Sequence, residues 1–261
     1  MGTRALRSPP YFQADGRDFE GLRRRKYELL ASAHHEVSVA LPDDEGVEGV
    51  ESATAEAAHV VSSVTGQPLG TGKPALEAAA LLVPDDLVIL LRRDGAWRMV
   101  AGVVCFPSHW SPAQKLGRPV ADIHGPVPRY AEELRHRVDH FLDHLTPGRP
   151  VWRRNWMVHA SPELHAPLPV LTPGPVAPQD HWLRSERQTL TALPLTGAIL
   201  FTIRTQQVPL ASLQQVPDFA SRLAAAIRAT PADLTRYRLG DIDTDSIVGW
   251  LERTGRSSRL G

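Results

Sequence analysis

DLVILLRRDGAWRMVAGVVCF, residues 86–106, carries the clearest structural signal in the chain. Its two apolar runs, residues 87–91 and 96–106, lie on either side of Asp94-Gly95. An Asp-Gly pair between two apolar runs is a strong signal for a two-residue hairpin turn, so we expect these runs to pair as antiparallel strands. Alternating or β-branched residues predict three further strands, at residues 151–159, 181–194 and 196–210.

Helical patterns lie on both sides of the hairpin. Apolar spacing and terminal Gly or Pro residues predict helices over residues 19–33, 53–66 and 128–148 and in the tail after Pro209. Ser111 and Pro112 predict the start of a short helix, and Asp241 or Asp243 can cap the last one. Because helices and strands do not alternate as βαβ units, the sequence predicts an α+β fold. We expect an antiparallel sheet of about five strands with helices packed on it, plus N- and C-terminal helices.

Composition limits the classes of protein to which the chain can belong. It has 261 residues, of which 42% are hydrophobic and 22% charged, and its formal net charge is zero. This balance gives no electrostatic case for nucleic-acid binding, and the basic run at residues 23–26 is interpreted as a solvated face. No apolar run approaches the ~18 residues of a membrane span, and no secretory leader is visible, so a cytoplasmic protein is expected. Cys105, the single cysteine, is interpreted as a small buried hydrophobe.

One histidine lies in an unusual setting, ADIHGPVPRY at residues 121–130. Pro126 and Pro128 restrict themselves and the residues before them, so this segment is predicted to be non-helical. Two interpretations remain open. The segment is either a surface turn or a stiff support that fixes the direction of His124 because that side chain binds something.

Three histidines recur every four residues in the predicted long helix, at His136, His140 and His144. That spacing places side chains on one side of a helix, where they could bind zinc. The same positions lie opposite the apolar stripe of the helix, and a catalytic zinc site requires partial burial and supporting residues. A solvated face is therefore the preferred interpretation.

LRSERQ, residues 183–188, places four polar side chains, Arg184, Glu186, Arg187 and Gln188, within a predicted strand. Burying them is unfavourable unless they have partners, so they form either a structural salt-bridge network or the charged lining of a pocket. In a regular strand Glu186 and Arg187 face opposite sides and cannot both line one pocket. The G-x-S-x-G, P-loop, Rossmann and H-E-x-x-H motifs are absent from the sequence.

Four stretches carry a resemblance to a known family: WRMVAGVVCFPSHW (97–110), KLGRPVADIHGPVP (115–128), RPVWRRNWMV (149–158) and LRSERQTLTALPLTGAILFTIRT (183–205). They resemble the haem-dependent oxidative N-demethylases, whose haem-carrying subunit has a PAS-like fold. Weaker similarity over residues 11–30 extends the resemblance to most of residues 11–210. It implies three parts: an N-terminal helical arm at 1–75, a PAS-like haem-binding core at 76–210, and C-terminal helices at 211–261.

The resemblance also implies an activity and partners. It implies a monooxygenase that contains haem b and uses O2 to convert a small secondary amine, such as dimethylamine, to a primary amine and formaldehyde. Electrons would come from separate flavin and iron–sulfur subunits, and a chain with one cysteine and no dinucleotide-binding loop would need such a partner. The alternative is a haem-binding sensor or ligand-binding module without catalysis, since one fold can serve both roles.

Residue roles follow from motif position in that family. His124 is the candidate proximal ligand of the haem iron. His109 lies at a position where the family is expected to vary, and it is a second imidazole that could face the haem. Glu186 is the candidate acid/base that holds the substrate ammonium and accepts its proton. The candidate anchors for the haem propionates are the cationic side chains Arg184, Arg187 and Lys115.

Overall fold

The computed structural model describes residues 3–6, 12, 18–43, 49–125, 135–168, 174–216 and 218–257. Within these ranges the strands form one seven-stranded sheet in the order β1-β5-β6-β7-β3-β4-β2. Their bounds are β1 Arg4–Ala5, β2 Ser38–Ala40, β3 Asp86–Arg93, β4 Ala96–Val103, β5 Val151–His159, β6 Trp182–Ala192 and β7 Ile199–Pro209. The α+β class is therefore confirmed. The five predicted strands are β3 to β7, whereas β1 and β2 are too short to show a period in the sequence.

The β3–β4 hairpin has the predicted turn. Asp94 and Gly95 both have positive φ, 49° and 74°, as a type I′ turn requires. Arg93 pairs with Ala96 directly across it. On its other edge β3 pairs antiparallel with β7, with Leu87 opposite Thr202. β3 therefore lies inside the sheet. Residues 87–91 are also buried on both faces of the strand, which explains why all of them are apolar.

Helices lie in the segments where apolar spacing predicts them. Of the helix predicted at 128–148, residues 128–134 lie outside the described residues, and the helix ends at Asp143. The last helix is capped as predicted, because the Ser246 N–H donates to Asp243 Oδ1 at 3.1 Å. No helix in the described residues is both long and apolar enough to cross a bilayer. The helices are α1 Phe19–Ser32, α2 His34–Val37, α3 Val50–Thr65, α4 Ala75–Ala80, α5 Pro112–Lys115, α6 Val120–Ile123, α7 Arg135–Asp143, α8 Phe219–Arg228, α9 Ala232–Leu239 and α10 Thr244–Ser257.

The chain divides into two compact units that are interleaved in sequence. Unit 1 comprises Met1–Arg154, His165–Leu168 and Arg187–Thr205. Unit 2 comprises Asn155–Leu164, Pro169–Glu186 and Gln206–Gly261. The division of the chain at 75 and 210 that the resemblance implies stays a prediction.

An apolar cluster in unit 1 holds α6 and α7 against the sheet. Burial of each large apolar side chain stabilises the fold by roughly 1.5–3 kcal/mol, so this packing fixes the position of both helices. The cluster includes Val88, Leu90, Trp97, Met99, Val120, Val138, Leu142, Leu190 and Ile199.

A second apolar cluster forms the core of unit 2. It joins α8 and α10 to residues of β5 and β6, and it includes Val158, Leu183, Leu210, Leu213, Leu223, Ile227, Ile247, Val248 and Leu251. Beside it, the Arg238 guanidinium lies 4.5 Å from the ring centroid of Trp156. A cation over an aromatic face gives a favourable electrostatic contact.

Unit 1 also has a charged centre that the sequence did not reveal. Lys26 belongs to the basic run that was interpreted as a solvated face, yet its side chain is 0% exposed. Its Nζ donates to the carbonyls of Ala80 and Val83 at 3.0 and 3.1 Å and to that of Asp85, and it lies 3.9 Å from Asp86 Oδ1. The interpretation is wrong for Lys26 because this residue occupies the buried face of α1, where carbonyls and a carboxylate satisfy its charge.

Asp85, in the same centre, should give the free energy of unfolding an unusual pH dependence. Burial raises the pKa of Asp85 to about 6 from 3.8, although the positive charges of Lys26, Arg204 and Arg187 oppose the rise. Between pH 4 and 6 the folded chain therefore holds a proton that the unfolded chain has lost, and stability attributable to Asp85 falls as pH rises.

Asp85→Asn should consequently raise the free energy of unfolding by up to about 3 kcal/mol at pH 7 and by little near pH 4. Urea denaturation of both proteins across pH 4–8 measures this difference. Unfolding energies that run parallel over the whole range would contradict the argument.

Candidate functional site

His124 follows a one-turn helix in unit 1. The residues from Val120 to Ile123 form α6, so the prediction that residues 121–130 are non-helical is wrong for its first three residues. A proline restricts only itself and the residue before it, and Gly125 is the first residue so restricted. α6 therefore closes, with the His124 N–H donating to the Val120 carbonyl at 3.1 Å. Pro126 and Pro128, which were expected to stiffen this segment, lie outside the described residues.

The same carbonyl holds the imidazole. His124 Nδ1 lies 2.9 Å from the Val120 oxygen, so Nδ1–H donates and Nε2 carries the lone pair. Burial lowers the pKa of His124; the hydrogen bond to Val120 opposes this, and the positive charges of Arg153 and Lys115 add to it. The ring is thus neutral at pH 7. A metal-binding histidine typically has this form, with one ring nitrogen bonded to a carbonyl.

Two cations act on this imidazole from different elements. Lys115, at the end of α5, donates from Nζ to the Ile123 carbonyl at 3.2 Å, and burial, followed by the charge of Arg118, lowers the pKa of Lys115. Arg153 of β5 donates from Nε to Gln188 Oε1 at 2.7 Å. The structure therefore brings predicted Lys115 close to predicted His124. It adds Arg153, which the resemblance had not assigned although it lies in a matching stretch.

Arg187 is held differently. Its guanidinium carbon lies 5.8 Å from the ring centroid of Trp152. Burial lowers the pKa of Arg187, the carboxylate of Asp85 opposes that effect, and the charge of Arg154 adds to it. Arg187 is 6% exposed, so its charge acts in a largely dehydrated setting.

Arg184 and Glu186 belong to unit 2 and pair with each other. Arg184 Nε donates to Glu186 Oε1 at 3.3 Å, and Arg184 NH1 donates to the Leu164 carbonyl at 3.0 Å. Their side chains are 0% and 8% exposed. The structural salt bridge that was one interpretation of LRSERQ is therefore present.

His109 lies on the surface in a strained conformation. Its side chain is exposed, its φ is 57°, and its N–H donates to the Ala166 carbonyl at 2.7 Å. Positive φ is uncommon for residues other than glycine. An exposed imidazole lacks the burial that favours the neutral ligand form, so His124 fits a metal-binding role better.

The described residues contain no group of three or more His, Cys, Asp or Glu side chains that could hold a metal ion. An iron porphyrin does not need such a group, because the macrocycle supplies four ligands and the protein can supply one imidazole. His124 fits that requirement, and Lys115 and Arg153 could pair with carboxylate substituents on such a ring. The arrangement suits a neutral nitrogen ligand with cations beside it.

Comparison with models of protein families gives a match. The family described as "Haem-dependent oxidative N-demethylase, alpha subunit-like" matches residues 49–248. The match covers more than three quarters of the chain, including every candidate residue named above.

Proposed function

Because the chain belongs to the haem-dependent oxidative N-demethylase alpha subunit-like family, we propose that it is the haem b-binding component of a monooxygenase. Its substrate would be a small secondary amine of the dimethylamine class, and its products the primary amine and formaldehyde. Haem supplies activation of O2 when it is bound. The chain's own residues would bind the haem, position the amine and move its proton.

The observation that carries this proposal is the state of His124. Its Nδ1 contact with Val120 at 2.9 Å fixes the direction of the ring. Burial, which lowers its pKa, keeps it neutral at working pH. A ligand imidazole must be neutral, because a proton and a metal ion compete for the same lone pair. His124 would therefore offer Nε2 to iron without first losing a proton.

Cationic side chains would hold the haem propionates. Arg153 and Lys115 act electrostatically on His124, so negative groups on a ring ligated there would meet positive charge. Arg184 and Arg187 are further anchors that the family resemblance implies. A guanidinium can pair with a carboxylate through two parallel hydrogen bonds, which orients the ring as well as binding it.

Glu186 would handle the proton of the substrate. A secondary amine arrives as an ammonium ion near pH 7, and its oxidation requires the nitrogen lone pair. The Glu186 carboxylate would bind the ammonium and accept its proton, while Arg184 Nε holds Oε1 in place from 3.3 Å. Arg184 is thus a positioning residue in this proposal.

Electrons would come from partner proteins that carry flavin and iron–sulfur groups. The chain has one cysteine, and burial raises the pKa of Cys105 to about 12. Such a thiol is not a reactive thiolate, so it cannot relay electrons by thiol–disulfide exchange. A reductase partner is the simplest source of reducing equivalents.

Glu186→Gln tests the assignment of the acid/base. The variant should bind haem as the wild type does, and formaldehyde release from dimethylamine with an artificial reductant should fall about 10²- to 10⁴-fold, the usual contribution of a general acid or base. Glu163→Gln removes an exposed carboxylate and serves as the matched control, with unchanged turnover expected.

Two results would count against this reading. Undiminished turnover in Glu186→Gln would remove the proton-transfer role. Wild-type protein that binds haem yet oxidises no small secondary amine would instead favour a haem-binding sensor.

A further inference from the structure

We infer that His140 and His144, at the C-terminal end of α7, form a surface chelate for Cu2+ that shares no residue with the candidate haem site. His140 lies in α7 and His144 in the turn that follows it. Both side chains are exposed, and their ring centroids are 4.0 Å apart with an interplanar angle of 41°.

The separation of the rings is close to what a shared metal requires. With metal–nitrogen bonds of about 2.0–2.1 Å, two imidazoles at right angles around one ion would have centroids roughly 4.5 Å apart. The observed distance is 4.0 Å, slightly shorter than this value. A tetrahedral angle would require a larger opening. The distance between the rings therefore favours an ion with tetragonal coordination, such as Cu2+. Among divalent first-row metal ions, Cu2+ also has the highest intrinsic affinity for such ligands.

The orientation of one ring is already fixed. His144 Nδ1 lies 2.7 Å from the His140 carbonyl, so Nδ1–H donates to that oxygen and Nε2 carries the lone pair. A backbone carbonyl in this role is a common feature of metal-binding histidines, where it fixes both the tautomer and the direction of the ring. The contact that makes His124 a good ligand therefore also occurs at His144.

The helix that carries the pair is anchored on both sides. Val138 and Leu142 are buried in the apolar cluster of unit 1, which directs the opposite face of α7 outward. Asp143 accepts hydrogen bonds from Arg92 and from Trp97 Nε1. Its carboxylate ties the last turn of α7 to the β3–β4 hairpin. Binding a metal would consequently order few groups that are not ordered already, which reduces the entropic cost of binding.

This site differs from the zinc site that the spacing of three histidines first suggested. Its two ligands are solvated, as the sequence predicts, so water would complete the coordination sphere. It has neither the burial nor the supporting shell of a catalytic centre. The inference concerns binding alone and does not depend on the proposed N-demethylase activity.

Apoprotein without haem, titrated with Cu2+ alone, tests the inference. Isothermal titration should show one preferred site, and electron paramagnetic resonance at one equivalent should show hyperfine coupling to two nitrogens. His140→Ala and His144→Ala should each weaken that site by at least about tenfold and leave coupling to one nitrogen. Cu2+ should also raise the Tm of the wild type more than that of either variant.

His34→Ala is the matched control. His34 and His35 are adjacent residues whose rings meet edge to face, with centroids 5.5 Å apart, and neighbours in sequence do not share a helix face. The control should bind Cu2+ as the wild type does. Equal affinity in the wild type and both α7 variants, or an equal loss in the His34 variant, would overturn the assignment. Because haem is absent throughout, neither result bears on the proposed function.

Discussion

His124→Ala is expected to lose the Soret band that the wild-type protein develops when it is reconstituted with hemin. The imidazole would supply the proximal bond to the iron, and alanine supplies no ligand atom. Its neighbours Lys115 and Arg153 would still attract the propionates, so weak, non-coordinate binding can persist. The visible spectrum therefore reports the effect better than total haem content does.

The pKa of His124 adds a pH dependence to this result. Burial lowers that pKa from 6.5, so protonation should begin to displace the haem only below the pH at which an ordinary histidine is half protonated. The Soret band of the wild type should consequently persist as the pH falls through 6.5. A midpoint for haem release above 6.5 would contradict a buried, neutral ligand.

His165→Ala is the control for the spectrum. His165 is also partly buried in unit 1, and its Nδ1 lies 2.9 Å from the Cys105 carbonyl. Its Nε2, however, lies 3.8 Å from a Glu36 oxygen. This variant should keep the band. If His124→Ala also keeps it, the ligand is another residue, and His109→Ala is then the next variant to measure.

Asp86→Ala is expected to lower the free energy of unfolding by about 3–5 kcal/mol, the usual result of removing one member of a buried ion pair. Asp86 Oδ1 and Oδ2 accept hydrogen bonds from the N–H groups of Cys105 and Phe106, both at 2.9 Å. Alanine removes both acceptors and also leaves the ammonium of Lys26 without its nearest carboxylate. Urea denaturation measures the loss.

Asp86→Asn provides a second measurement in case the alanine variant does not fold. The amide keeps one acceptor oxygen and the size of the side chain, so it isolates the loss of charge and should destabilise less. Glu252→Ala, which breaks the exposed pair with Arg228 at 2.8 Å, should lower the free energy of unfolding only slightly. If Asp86→Ala costs no more than Glu252→Ala does, the buried pair is not important for stability.

Short-range signals in the sequence predicted the framework well. The Asp94-Gly95 turn specifies its own backbone conformation, and the apolar runs beside it specify paired strands without reference to the rest of the chain. The burial of Cys105, 0% exposed, is likewise confirmed. Each of these features depends on residues close together in sequence, and local periodicity reports them directly.

Long-range contacts explain what the sequence could not predict. The basic run suggests that Lys26 is solvated, and its burial is favourable because of carbonyls and a carboxylate more than fifty residues away. Arg153 donates a hydrogen bond to Gln188 of another strand, and no local sequence pattern predicts that pair. The direction of the His124 ring was expected to come from Pro126 and Pro128, which lie outside the described residues. Within the described residues, a carbonyl four residues before His124 holds the ring, because a single helical turn forms there.

The position of β3 inside the sheet has a consequence for the nascent chain. β3 can pair with β4 as soon as residue 103 has left the ribosome, whereas its other partner, β7, begins at Ile199. At ordinary rates of synthesis the interval lasts roughly 5–20 s, during which the strand edge of LVILL, residues 87–91, has no partner. Such a segment is prone to intermolecular β-aggregation. Asp85 and Asp86 before it, with Arg92 and Arg93 after it, are well placed as charged gatekeepers against that association.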